Sequence, residues 1–139
     1  MTKCFLDANI LVYLKDEVSD HHRETIDLIS KLITNEIKLF VSPLCLDEIV
    51  HSLNYILKRD FKKLKVVMDD IFNIPTLEII NPPADIEENK KVITLMENYS
   101  LRPRDAYHLL TMQANKIDGF ATFDNDFHKV FAAKILQKA

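Results

Sequence analysis

The sequence predicts an α/β fold, a three-layer α/β/α sandwich built around a short parallel sheet. Two observations carry this. Apolar runs too short for helices alternate with longer segments of helical periodicity, and no stretch contains strands alone. The runs are also apolar throughout, as expected of strands covered on both faces.

Taken in order, strands are expected at Cys4-Phe5-Leu6, Leu39-Phe40-Val41, Leu77-Glu78-Ile79-Ile80, Gly119-Phe120-Ala121-Thr122 and Lys134-Ile135-Leu136. A helix should begin near Asn9. His22 to Asn35 spaces Ile26, Ile29 and Ile33 helically, and Leu44 to Lys58 does the same with Leu46, Ile49, Val50, Leu53 and Leu57. Phe61 to Phe72 places Phe61, Leu64, Val67, Met68 and Ile71 on one stripe. Asp85 and Glu88 have a capping-box spacing at the head of a helix reaching Tyr99, and Pro103 suits the first position of the next, where a missing amide hydrogen costs nothing.

At 139 residues and 47% hydrophobic the chain has room for one domain, residues 1–139, with a substantial core. The first apolar run is broken by Asp7 and Asn9 well short of the ~18 residues of a membrane span, so a cytoplasmic protein with no membrane association is expected. Cys4 and Cys45 are too few for a disulfide framework and read as buried reduced thiols. A net charge of −3 gives no global attraction to nucleic acid, so a polyanionic partner must be held locally. The single glycine, Gly119, excludes a Gly-rich phosphate loop and with it ordinary ATP or NAD chemistry.

Four acids carry the chemistry. Asp7 and Asp124 follow expected strands, Asp105 lies in the first turn of a helix, and Glu48 lies in the second turn of another. In an open parallel sheet those positions share one rim, at the carboxyl ends of the strands. Singly, each acid has a structural reading. Asp7 suits a helix cap, Asp105 a helix N-terminus, Asp124 a turn, and Glu48 a solvated face shared with Leu44, His51 and Tyr55. Together, four like charges at one rim repel unless a cation neutralises them. Oxygen ligands select a hard ion, Mg²⁺ or Mn²⁺, which recruits substrate phosphates and leads to phosphodiester hydrolysis.

Asp7-Ala8-Asn9 after the first strand, Ser42-Pro43 leading to Glu48, Arg104-Asp105-Ala106 opening a helix, and Thr122-Phe123-Asp124-Asn125-Asp126-Phe127 together resemble the PIN domain, in order and over the whole chain. The resemblance implies a Rossmann-like sandwich and a metal-dependent ribonuclease with Asp7, Glu48, Asp105 and Asp124 as ligands. Asp126 joins them as a further ligand, and Asn9 and Thr122 support the site. A PIN domain of this length also resembles the VapC-type toxins, which implies RNA as substrate, a homodimer and an antitoxin partner. Family members often have small residues after the helix-opening acid, where this chain has Tyr107, His108, Leu109 and Leu110.

Arg102 and Arg104 flank Asp105 and suit phosphate contact, as do His51 and, within the cluster Lys58, Arg59, Lys62, Lys63 and Lys65, Lys62. For the lysine cluster a merely solvated helix face is the competing reading. Glu48 with His51 and Asp105 with His108 have the acid-to-His spacing of di-iron helical bundles, which the strand signals oppose. Two other functions compete. A phosphatase with Asp7 as nucleophile needs a general acid two residues on, where Asn9 cannot serve. A catalytically weak PIN-like module that binds RNA or protein should have lost an acid, and this chain keeps them all. His21, His22, His108 and His128 have no role that sequence assigns.

Overall fold

The computed structural model describes all residues from 1 to 139. Its elements run β1 (Lys3–Leu6), α1 (Ala8–Lys15), α2 (His22–Thr34), β2 (Lys38–Val41), α3 (Pro43–Ile56), α4 (Phe61–Phe72), β3 (Leu77–Ile79), α5 (Ile86–Tyr99), α6 (Pro103–Ala114), β4 (Gly119–Ala121), α7 (His128–Ala132) and β5 (Gln137–Lys138). All strand pairs are parallel, in the order β3-β2-β1-β4-β5. Helix-rich alternation has therefore produced the parallel sheet that the sequence predicts.

Strand order grows outward from β1 in both directions. The first two crossovers run toward β3 and the later ones toward β5. Since such crossovers are right-handed, α1 to α4 cover one face and α5 to α7 the other. Packing agrees, with α1 on α2 and α3, α3 on α4, and α5 on α6. Phe5 and Phe120 are register partners on the α5–α7 face, their rings 6.0 Å apart, and Phe127 meets Phe120 edge-on at 4.7 Å. Burying these three rings, each 1% exposed or less, fixes β1 against β4. That pairing is also where the order reverses, the place at which parallel sheets open a crevice beyond the strands' carboxyl ends.

Helix starts follow the expected chemistry. Ser42 and Asp85 accept from the third residue on, Asp60 does so for α4, and prolines occupy the first positions of α3 and α6. Helix ends depart from glycine. Glu36, Lys58, Arg59, Ser100, Lys116 and Lys134 all have φ between 53° and 61°. At Glu36, Lys58, Lys116 and Lys134 the paired bonds of a Schellman motif close the helix, for example Lys116 N to Gln113 O and Ile117 N to Met112 O.

Two expectations are corrected by this geometry, and one reading that the strand signals already opposed is excluded. Lys134-Ile135-Leu136 is not a strand: Lys134 is the left-handed cap of α7, Ile135 N bonds Val130 O, and β5 begins at Gln137. The short helix α7 itself had no counterpart in the sequence reading. The Phe61 stripe is only partly used, because α4 lies over the β3 edge of the sheet. Ile71 is buried and Leu64, Val67 and Met68 half-buried, but Phe61 is 71% exposed. The di-iron bundle is excluded by the sheet.

Candidate active site

β1 stops at Leu6 because Asp7 turns the chain into α1, capping it with Oδ1, which accepts from Ala8 N at 2.8 Å. The other carboxylate oxygen faces the crevice. It accepts from Asn9 Nδ2 at 3.0 Å and from Thr122 Oγ1 at the end of β4. Thr122 Oγ1 in turn accepts from Asp124 N at 3.0 Å, and Asp124 Oδ1 accepts from Asp126 N at 2.9 Å. The capping and turn readings of Asp7 and Asp124 are thus both correct, and they are how the two acids are aimed. Asn9, whose amide holds Asp7 while its Oδ1 accepts from Phe123 N at 3.4 Å, cannot be the general acid of a phosphatase.

Glu48 comes from the second turn of α3, its side chain 21% exposed, and so is no solvated-face residue. Its Oε1 lies 3.2 Å from His108 Nε2 and 3.5 Å from Arg104 Nε. His108, one turn beyond Asp105 on α6, is 3% exposed. Its Nδ1 lies 3.8 Å from Cys45 Sγ, and its ring packs against Phe5 at 5.9 Å. Burial opposes protonation of this imidazole, but the Cys45 sulfur and the Glu48 carboxylate at its two nitrogens outweigh burial and raise its pKa to about 10. Sequence reasoning left His108 unassigned and took Cys45 for inert core. The usable signal was the three-residue step from Asp105, which puts His108 on the same helix face.

Asp105, Asp124 and Asp126 each bring a carboxylate oxygen within 4.8 Å of the others, and Arg102 Nη2 reaches Asp126 at 3.6 Å. Burial and then the charges of Asp124, Asp126 and Asp7 raise the pKa of Asp105, against the pull of His108. Burial also raises that of Asp7, with Glu48 adding to it and Thr122, His108 and Ala8 N opposing. Thus each of the four acids interacts with others of the set across the β1/β4 crevice. Two of them are held in the neutral direction, by burial first and by neighbouring carboxylates second. The donors are oxygens of differing elements around a half-open rim, which fits a hard divalent cation.

Of the remaining candidates, His51 lies one turn past Glu48 and lines a groove with Arg104 and Ser52. A wider groove continues between α1 and α3, lined by Ala8, Val12, Tyr13, Tyr55 and Ile56. Lys62 is exposed in the first turn of α4. His21 stacks between Tyr13 and Phe123 at 5.0 and 4.5 Å, His22 Nδ1 sits 2.9 Å from Tyr13 O, and His128 Nδ1 sits 3.0 Å from Asn125 O. These three bind their own backbone or neighbouring rings.

A parallel sheet with carboxylates from β1, α3, α6 and the β4 loop converging at its switch point defines the class to which comparison with known proteins also assigns the chain. The PIN domain model matches residues 4–132, and the chain belongs to the PIN domain family. Ribonuclease VapC2 of Methanocaldococcus jannaschii is 28% identical over 146 residues, covering 97% of this chain and 93% of that protein. Ribonuclease VapC6 of the same organism is 25% identical over 153 residues, covering 96% of each. Among solved structures, VapBC2 from Rickettsia felis bound to a promoter DNA fragment superposes with a TM-score of 0.69 at 18% identity, covering 99% of this chain and 97% of that one. VapC20 of Mycobacterium tuberculosis, described as a sarcin-ricin loop cleaving toxin, gives 0.66 at 16% identity, over 91% and 94%.

Proposed function

We propose that this protein is a Mg²⁺- or Mn²⁺-dependent endoribonuclease, the toxin of a toxin–antitoxin pair, acting as a homodimer in the cytoplasm. The observation that supports the reading is the cluster of Asp105, Asp124 and Asp126 within 4.8 Å of one another, with Asp7 and Glu48 at the same end of the sheet and Asp7 acting electrostatically on Asp105. The names of the two archaeal relatives support ribonuclease activity, and the toxin and toxin–antitoxin titles of the solved structures suit an antitoxin partner. Two buried free thiols suit a reducing compartment, and no helix is long and apolar enough to cross a membrane.

In this mechanism Asp7, Glu48, Asp105 and Asp124 would hold the cation, with Asp126 as a further ligand. When bound, the cation supplies the positive charge that polarises the scissile phosphate and makes a water ionisable near neutral pH. The chain does the positioning. Thr122 and Asn9 lock the rotamer of Asp7, and His108 and Arg104 restrain Glu48. Arg102 and Arg104, paired here with Asp126 and Glu48, are exposed guanidinium groups beside the acids and are placed to take substrate phosphates. His51 and Lys62 provide further cationic or polar contacts to RNA. The test is incubation of a mixed RNA pool with Mg²⁺, Mn²⁺ or chelator, with mapping of cut ends. RNA binding without cleavage at any metal concentration would favour the binding-module alternative.

A further inference from the structure

Beneath the four acids lies a donor set of different chemistry. Asp7, Cys45 and His108 each present a ligand atom within 4.8 Å of the other two, with Cys45 and His108 buried and Asp7 half-buried at the edge of the crevice. Cys45 is fully buried in the first turn of α3, its Sγ 3.8 Å from His108 Nδ1 and 3.7 Å from Leu6 O. A tetrahedral ion with metal–sulfur and metal–nitrogen bonds of about 2.3 and 2.0 Å holds those atoms about 3.5 Å apart. The observed pair is thus already near that span. Asp7 is fixed by Thr122 and Asn9. The imidazole's other nitrogen is taken by Glu48 at 3.2 Å, the carboxylate–histidine arrangement that orients a ring and turns its free nitrogen to a metal.

Thiolate, imidazole and one carboxylate do not suit Mg²⁺, which demands oxygen octahedra. They suit Zn²⁺. We propose that Asp7, Cys45 and His108 form a Zn²⁺ site, with a fourth position left to water, distinct from the oxygen-lined site above it and sharing only Asp7 with it. Binding displaces the protons of the Cys45 thiol and of His108 Nδ1. It also commits Asp7 to the softer ion. Zn²⁺ therefore inhibits the hydrolysis that Mg²⁺ or Mn²⁺ supports. This inhibitory consequence rests on the nuclease reading, whereas the site itself does not.

The experiment uses the reduced full chain in excess Mg²⁺, with Co²⁺ as a coloured probe. One equivalent of Co²⁺ should produce the near-ultraviolet thiolate charge-transfer band and the strong visible bands of tetrahedral cobalt, and Zn²⁺ should bleach both. Cys45→Ser should abolish the charge-transfer band, and Cys4→Ser should leave it. At fixed Mn²⁺, the Zn²⁺ concentration that halves RNA cleavage should rise at least about tenfold in Cys45→Ser. Absence of the band, its survival in Cys45→Ser, or equal Zn²⁺ sensitivity of wild type and Cys45→Ser overturns the proposal. Should Cys45→Ser not fold by circular dichroism, Cys45→Ala and His108→Gln carry the same readouts. A protein without RNA cleavage that still shows the Cys45-dependent band keeps the site and loses only the nuclease reading.

Discussion

Asp7 caps a helix with one oxygen and faces the acidic crevice with the other, so its structural and chemical readings were never alternatives. Asp105 differs in that its charge has no donor of its own and is opposed first by burial and then by Asp124, Asp126 and Asp7. A carboxylate whose folded pKa lies above its unfolded value costs stability as pH rises through the carboxylate range. Asp105→Asn should therefore leave the metal-free fold as stable as wild type or more so in thermal melts at neutral pH. Mn²⁺ should act in the opposite sense, stabilising wild type by about 2.7 kcal/mol at a hundred times its Kd. That gain should shrink in the variant, and equal metal-induced shifts would remove Asp105 from the ligand set. His108 has the reverse sign. Its raised pKa gives stability that is complete below about 6.5, the unfolded value, and is lost as pH climbs toward about 10. Denaturant titrations of metal-free protein across that window should show wild type losing stability while His108→Gln changes less. Parallel curves would mean that the imidazole is neutral throughout.

At the scale of elements, what the sequence made legible depended on periodicity and caps. Six of the seven helices and four of the five strands fall where apolar spacing, Asp7, Asp85 and Pro103 put them. The misplaced strand has an identifiable cause. With a single glycine in the chain, helices end on polar residues forced to positive φ, followed by an aliphatic: Glu36-Ile37, Lys116-Ile117, Lys134-Ile135. Such a pair looks like a strand beginning, which is why Ile135 and Leu136 were read as β5. Left-handed backbone costs a side-chain-bearing residue about 1–2 kcal/mol, and glycine's extra unfolded entropy costs about 0.5–1 kcal/mol. Lys116→Gly, at φ 54°, should thus stabilise by up to about 1 kcal/mol in urea unfolding. A clear loss of stability would show that the Lys116 side chain contributes more than its strain costs.

For the whole molecule, the site's location was readable because a parallel sheet has one rim where its helices begin, and the acids sat at the positions that reach it. The partners of the acids were not. That Glu48 meets His108 and Arg104, or that Arg102 pairs with Asp126, depends on α3, α6 and the loop after β4 coming together beyond the end of β1 from opposite faces of the sheet, a long-range fact that no local spacing encodes. A net charge of −3 also means that RNA is held by few cations. Lys62→Ala and Arg104→Ala should each flatten the dependence of log affinity on log salt by about one. An unchanged slope would place that residue outside the RNA path. The central claim is that acids and a divalent cation together cut RNA. It is tested most directly by comparing cleavage rates of wild type and Asp105→Asn on one RNA with Mn²⁺ and with chelator. Cleavage by wild type should require the metal, and Asp105→Asn should be slower by roughly two orders of magnitude or more. Cleavage that persists at the wild-type rate both in chelator and in Asp105→Asn would contradict it.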